Sequence, residues 1–105
     1  MANADQMRSP LTVLRRVIDD YERGATPRGR FLQEFDDVIA RVESISPSCA
    51  GRLKTEWWTI EQVFAASMDP ELRMPADQEE KTIREALENA KALITVEIES
   101  GAVKT

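Results

Sequence analysis

Four runs of apolar residues at three- and four-residue spacing, three of them opened by a Ser-Pro or Thr-Pro pair, confine this chain to a helical fold. An α-helix turns once in about 3.6 residues, so that spacing keeps one face toward a core. A hydroxyl residue directly before a proline offers an N-cap acceptor, and the proline fits a first helical position that needs no N–H. Ser9-Pro10, Thr26-Pro27 and Ser46-Pro47 therefore predict three helix starts.

The first predicted helix runs from about Pro10 to Arg23, with Leu11, Leu14, Val17, Ile18 and Tyr21 on its stripe and Gly24 as its stop. The second carries Phe31, Phe35, Val38, Val42 and Ile45, broadened by Leu32 and Ile39. Only Gly24 and Ala25 lie between the first helix and Thr26, and so short a link folds two helices back antiparallel. The third places Cys49, Leu53, Trp57, Ile60 and Phe64 in line, with Gly51 as an internal weakness of about 1 kcal/mol relative to alanine. Pro70 and Pro75 make Met68 to Ala76 a loop. Asp77 and Glu80 have the spacing of an acidic capping box, and Ile83, Leu87, Ala90 and Ile94 follow as a fourth stripe. Glu80 with Arg84, and Glu88 with Lys91, are spaced to pair on its exposed face. Val96, Ile98, Val103 and Gly101 weaken the helical pattern beyond Thr95, so fraying is expected after about Glu99.

None of the four stripes can be buried alone, and 105 residues suffice for one core. The expected architecture is all-α: an antiparallel four-helix bundle forming a single domain, 1–105, with 1–8 and about 100–105 flexible. The lone Cys49 can form no internal disulfide, which suits a reducing cytoplasm. Met1 to Ser9 lacks the apolar run of a secretory signal, and no stretch approaches the roughly 20 apolar residues of a membrane span.

The chain contains no histidine, which removes the commonest general base, the usual activated Ser or Cys nucleophiles, and most zinc sites. Cys49 reads as a buried apolar residue of the third helix. The glycines at 24, 29, 51 and 101 form no phosphate-loop or dinucleotide fingerprint. Asp19-Asp20, Asp36-Asp37 and Glu79-Glu80 point about 100° apart within each pair on a helix, too divergent to share an ion. No enzyme, metal or cofactor is therefore expected. Nineteen acidic residues against fourteen basic ones give a charge of −5, which opposes binding to a phosphate backbone. Arg15, Arg16, Arg23, Arg28 and Arg30 could form a positive edge, but Asp19, Asp20 and Glu22 are placed to neutralise it.

Two features suggest a protein interface. Neighbouring residues on a helix cannot share the centre of one stripe, so Trp57 takes the core side and Trp58 falls on the flank near Lys54 and Glu61. There Trp58 either covers a seam with a neighbouring helix, the first expectation, or stands exposed as interface tryptophans do. The second feature is the loop containing Met68, Leu72, Arg73 and Met74, whose apolar side chains are expected to cap the bundle end, or else to offer an adaptable surface.

The Gly24-Ala25-Thr26-Pro27 break, the Phe31-x3-Phe35 helix, and Trp57-x2-Ile60-Glu61-x-Val63 before an acidic loop together resemble the small four-helix colicin-type immunity proteins. The resemblance spans most of the chain and implies an acidic inhibitor that plugs the basic cleft of a toxin nuclease. The expected function is a non-enzymatic helical module that binds another protein or itself. One alternative is a structural homodimer closed by the stripe of the second helix or the apolar face of the fourth. Another is a small-ligand binder or enzyme that uses carboxylates, Tyr21 or lysines.

Overall fold

A computed structural model describes the backbone of residues 2–103 and the side chains of residues 7–99; residues 1, 104 and 105 of the two expected flexible ends lie outside it. The chain forms an all-α four-helix bundle: α1 (Ala2–Glu22), α2 (Arg28–Glu43), α3 (Pro47–Ser67) and α4 (Ala76–Val103). Each helix packs against the next in order, and α4 closes the ring against α1, the up-down-up-down arrangement that short connections favour. The bundle measures 50 × 23 × 20 Å. Among the described residues no helix is long and apolar enough to cross a membrane.

The first helix begins eight residues before Pro10, so Ser9 is not its N-cap. Pro10 sits inside α1, where it forfeits one backbone bond and costs about 3 kcal/mol. Met7 explains why the helix forms regardless. It extends the spacing of Leu11, Leu14 and Ile18 one turn upstream and is buried, 6% exposed, in the shared core. Burying such a side chain contributes about 1.5–3 kcal/mol, comparable to the proline penalty.

Gly24 ends α1 as expected. Its φ of 78° is the left-handed conformation glycine adopts freely. Ala25 N–H donates to the Asp20 carbonyl at 2.9 Å and Gly24 N–H to the Tyr21 carbonyl at 3.0 Å, which is the paired closure of a Schellman motif.

Of the three hydroxyl-proline starts, only Ser46-Pro47 caps a helix as predicted. The Ser46 hydroxyl accepts from Cys49 N–H at 3.3 Å, and Pro47 occupies the first helical position. At α2 the cap position is Pro27 rather than Thr26, with no side-chain cap bond; its carbonyl accepts from Phe31 N–H at 2.9 Å. The fourth start is also shifted. The Pro75 carbonyl accepts from Glu79 N–H at 2.9 Å, so Asp77 lies inside the first turn and forms no capping box. Asp77 and Glu79 there meet the positive end of the helix dipole. At the other end α4 continues through Gly101 to Val103 instead of fraying after Glu99, its apolar stripe continuing past Ile94 to Ile98, which packs against the core.

The four predicted stripes meet in one core. Leu11, Leu14, Ile18, Phe31, Phe35, Ile39, Leu53, Ile60 and Ile94 are essentially inaccessible, and among the described residues no polar or charged residue is buried. The stripe of α2 and most of the apolar face of α4 enter this core, while Val96 of α4 stays outside it.

Candidate functional site

The tryptophan pair divides as helical geometry requires, but Trp58 does not cover a seam. Trp57 turns toward α2, packs against the core and donates its indole N–H to the Leu32 carbonyl at 2.8 Å. Trp58 stands 57% exposed. Its place on α3 is responsible: it lies about 160° around the axis from Ile60, at the centre of the outward face, so no neighbouring helix reaches it.

That face has its own spacing. Gly51, Lys54, Trp58, Glu61 and Ala65 recur at three- and four-residue intervals, so they lie one above another on the side away from the core. Glu61 is half-buried and accepts from the adjacent Gln62 at 3.3 Å; the other four are exposed. Among the described residues neither Lys54 nor Glu61 forms an ion pair.

The α3–α4 loop splits the residues expected to cap the bundle. Met74 packs on the core, whereas Met68 is 87% and Leu72 66% exposed, and Arg73, next to Leu72, is exposed as well. Asp69 folds the loop outward: its carbonyl accepts from Leu72 and Arg73 N–H at 3.1 and 3.0 Å, and its carboxylate from Glu71 N–H at 3.0 Å. This tight turn swings Leu72 away from the bundle end. Met68 lies ten residues beyond Trp58, about 15 Å along the helix direction, so the two candidate surfaces sit at different heights.

Val96, which in the sequence counts only as a weakening of the fourth helix, is 58% exposed. With Leu93, Ala92, Asn89, Arg52 and Glu56 it lines a groove of about 480 Å³ between α3 and α4. Its position off the stripe of α4 was the available signal. A larger groove of about 750 Å³ separates α1 from α4, bordered by Arg15, Arg16 and Arg23 above Ile94 and Ile98. The expected neutralisation of these arginines is present in part. Arg15 pairs with Asp19 at 3.8 Å and Arg23 with Asp20, while Glu22 turns to Lys91 of α4. Lys91 therefore does not serve Glu88, although Glu80 and Arg84 do approach to 4.0 Å.

At the end of the bundle near both long loops, Arg28 joins three helices. Its guanidinium lies 4.6 Å from the centre of the Phe64 ring and donates to Ser67 Oγ and Glu79 Oε1, each at 3.3 Å. Beside it the Tyr21 ring stacks on Phe31 at 4.3 Å. Burial raises the Tyr21 pKa, the Arg28 charge opposes that rise, and Glu79 adds to it. Cys49 is buried, and its pKa is pushed up to about 11, chiefly by that burial and secondarily by Glu97, against Arg52. Both shifts hold the neutral form at physiological pH, so neither group is activated as a nucleophile.

The chain matches no protein-family model, no curated protein and no solved structure. The outward face of α3 is the surface from which a function is read.

Proposed function

We propose that this chain is a non-enzymatic helical module that binds protein, with its contact surface on the outward face of α3 around Trp58. The observation that carries the reading is the 57% exposure of Trp58 beside a Trp57 that is packed and hydrogen-bonded. Leaving more than half of an indole in water forgoes part of the roughly 1.5–3 kcal/mol that full burial of a large apolar side chain contributes, and tryptophan is enriched among the anchors of protein interfaces. Lys54 and Glu61 flank it without intramolecular ion pairs and supply polar contacts at its rim.

A photo-crosslinking residue placed at Gln62 and, separately, at Gln78 on α4 tests this reading in the producing cells. Adducts from position 62 that disappear on adding Trp58→Ala are the expected result. Equal labelling from both positions, or none from position 62, would end it.

The distribution of charge favours a second reading. Helix α4 carries seven carboxylates against three cations, a net −4 of the chain's −5. An acidic inhibitor of a basic toxin would present this helix to its target, steered by long-range attraction. Coexpression with a basic nuclease encoded beside it should protect the cell, and Glu85→Lys with Glu88→Lys should abolish protection. Unprotected cells with the native chain would exclude that pairing.

A further inference from the structure

Resting on the reading of the Trp58 face as a protein contact, we infer that its occupant is a second copy of this chain, packed antiparallel across a two-fold axis beside Trp58. Three observations converge on this arrangement.

The first is the order of charges. Lys54, exposed, lies four residues before Trp58, and Glu61, half-buried at the edge of the same outward face, three residues after it. A two-fold axis at Trp58 reverses the direction of the second helix, so Lys54 of each copy comes within one residue, about 1.5 Å along the axis, of the level of Glu61 of the other, a gap the long lysine side chain spans. The face is complementary to itself, and both ion pairs arise from one residue of each sign. A parallel partner would instead set lysine against lysine.

The second is Gly51. A glycine inside a helix costs about 1 kcal/mol relative to alanine, and an internal close contact is the usual return. Here a Cβ built on Gly51 meets nothing within 4 Å, so the fold of the single chain makes no use of its smallness. Across the two-fold axis Gly51 comes opposite Ala65, which is seven residues beyond Trp58 just as Gly51 is seven before it. Two small residues at each end let the helices approach while the tryptophans fill the middle.

The third is the exposure of Trp58 itself, on a helix whose opposite side is saturated by core contacts. Isologous packing buries both indoles at the centre of the contact, where interface energy concentrates. One helix face falls short of the roughly 800 Å² per partner of a standard interface, so the dimer is weak.

Sedimentation equilibrium from about 5 µM to about 1 mM tests the proposal on the full chain. The average mass should climb from 11.9 kDa toward twice that value over the range. Lys54→Glu alone and Glu61→Lys alone should each weaken association at least tenfold, and the two together should restore it to within about threefold, because the swapped charges again face each other. Gly51→Leu should also abolish the dimer, and helical circular dichroism would confirm that the chain still folds. A mass fixed at 11.9 kDa, or a dimer indifferent to these variants, overturns the proposal. A monomer that nonetheless gives Trp58-dependent adducts from position 62 with a different protein overturns self-association and leaves the interaction reading intact. A monomer with no such adducts removes both.

Discussion

Trp57 and Trp58 are chemically identical neighbours whose contributions to the fold differ because one places its indole in a seam and the other in water. Truncating Trp57 removes a 2.8 Å hydrogen bond and half-buried aromatic packing, so Trp57→Ala should cost about 2 kcal/mol. Trp58→Ala should change stability by less than about 0.5 kcal/mol. Thermal melts followed by circular dichroism separate the two, and a large loss at Trp58 would mean that it supports the fold. The angle of Trp58 around α3 was legible in the sequence, since a period of 3.6 fixes where each residue points. Its exposure was not, because coverage of a flank depends on where the next helix lies. Cys49 illustrates the opposite case, where the stripe alone foretold burial. Its pKa of about 11 in the fold exceeds the ordinary thiol value, so the folded chain holds its proton more tightly than the unfolded chain. The associated stability is present below the unfolded pKa and is lost as pH rises from about 8.5 toward 11, the direction also expected from Tyr21 at higher pH. Urea midpoints measured across that window should fall, and Cys49→Ala should flatten the first part of the fall. A profile unchanged by Cys49→Ala would place the alkaline sensitivity elsewhere.

Three helix starts carried the same dipeptide logic in sequence, yet only Ser46-Pro47 is realised. The reason lies upstream of each pair. Before Ser46 the chain has just left α2 and must turn within three residues, so a new cap is required there. Before Ser9 stands Met7, in register with the core stripe, and helix formation continues through the proline because burial offsets the lost bond. At Thr26 the Schellman closure around Gly24 occupies the preceding residues, and the ladder opens one residue later from the Pro27 carbonyl. Local signals thus located the interior of every element and missed boundaries decided by packing or by the neighbouring turn. The same contrast gives a measurable difference. Ser46→Ala should lose about 1 kcal/mol, the usual value of a hydroxyl cap, and Thr26→Ala should lose almost none. Comparable losses at both positions would contradict the assignment of caps. Gly51→Ala belongs to this scale as well. With open space around its Cβ and a helical backbone, alanine should raise stability by about 0.5–1 kcal/mol, a gain of several degrees in the melting temperature of a domain this size. A lower melting temperature would show that Gly51 is needed within the monomer.

For the molecule as a whole, the ring of four helices was implied by four stripes and three connections, but nothing local in the sequence linked Arg28 with a glutamate 51 residues away. Folding brings the start of α2 beside the end of α3 and the start of α4, and Arg28 ties them through Ser67, Glu79 and the face of Phe64. Two effects compete to explain its value. The ion pair with Glu79 is half exposed on the arginine side, where such pairs are worth 0 to about 1 kcal/mol and weaken with salt. The planar stack on Phe64 is worth about 0.5–1 kcal/mol at an exposed site and requires the guanidinium shape as well as charge. Arg28→Ala should therefore cost about 1 kcal/mol in urea unfolding, with an unchanged dependence on denaturant because the core is untouched. Arg28→Lys distinguishes the contributions, since lysine keeps the charge opposite Glu79 but cannot present a flat fork to both the ring and Ser67. If stacking dominates, lysine should recover less than half of the loss, and the remaining deficit should persist in 0.5 M salt, where a screened ion pair has little left to contribute. Full recovery by lysine at low salt, disappearing at high salt, would assign this three-helix junction to charge alone.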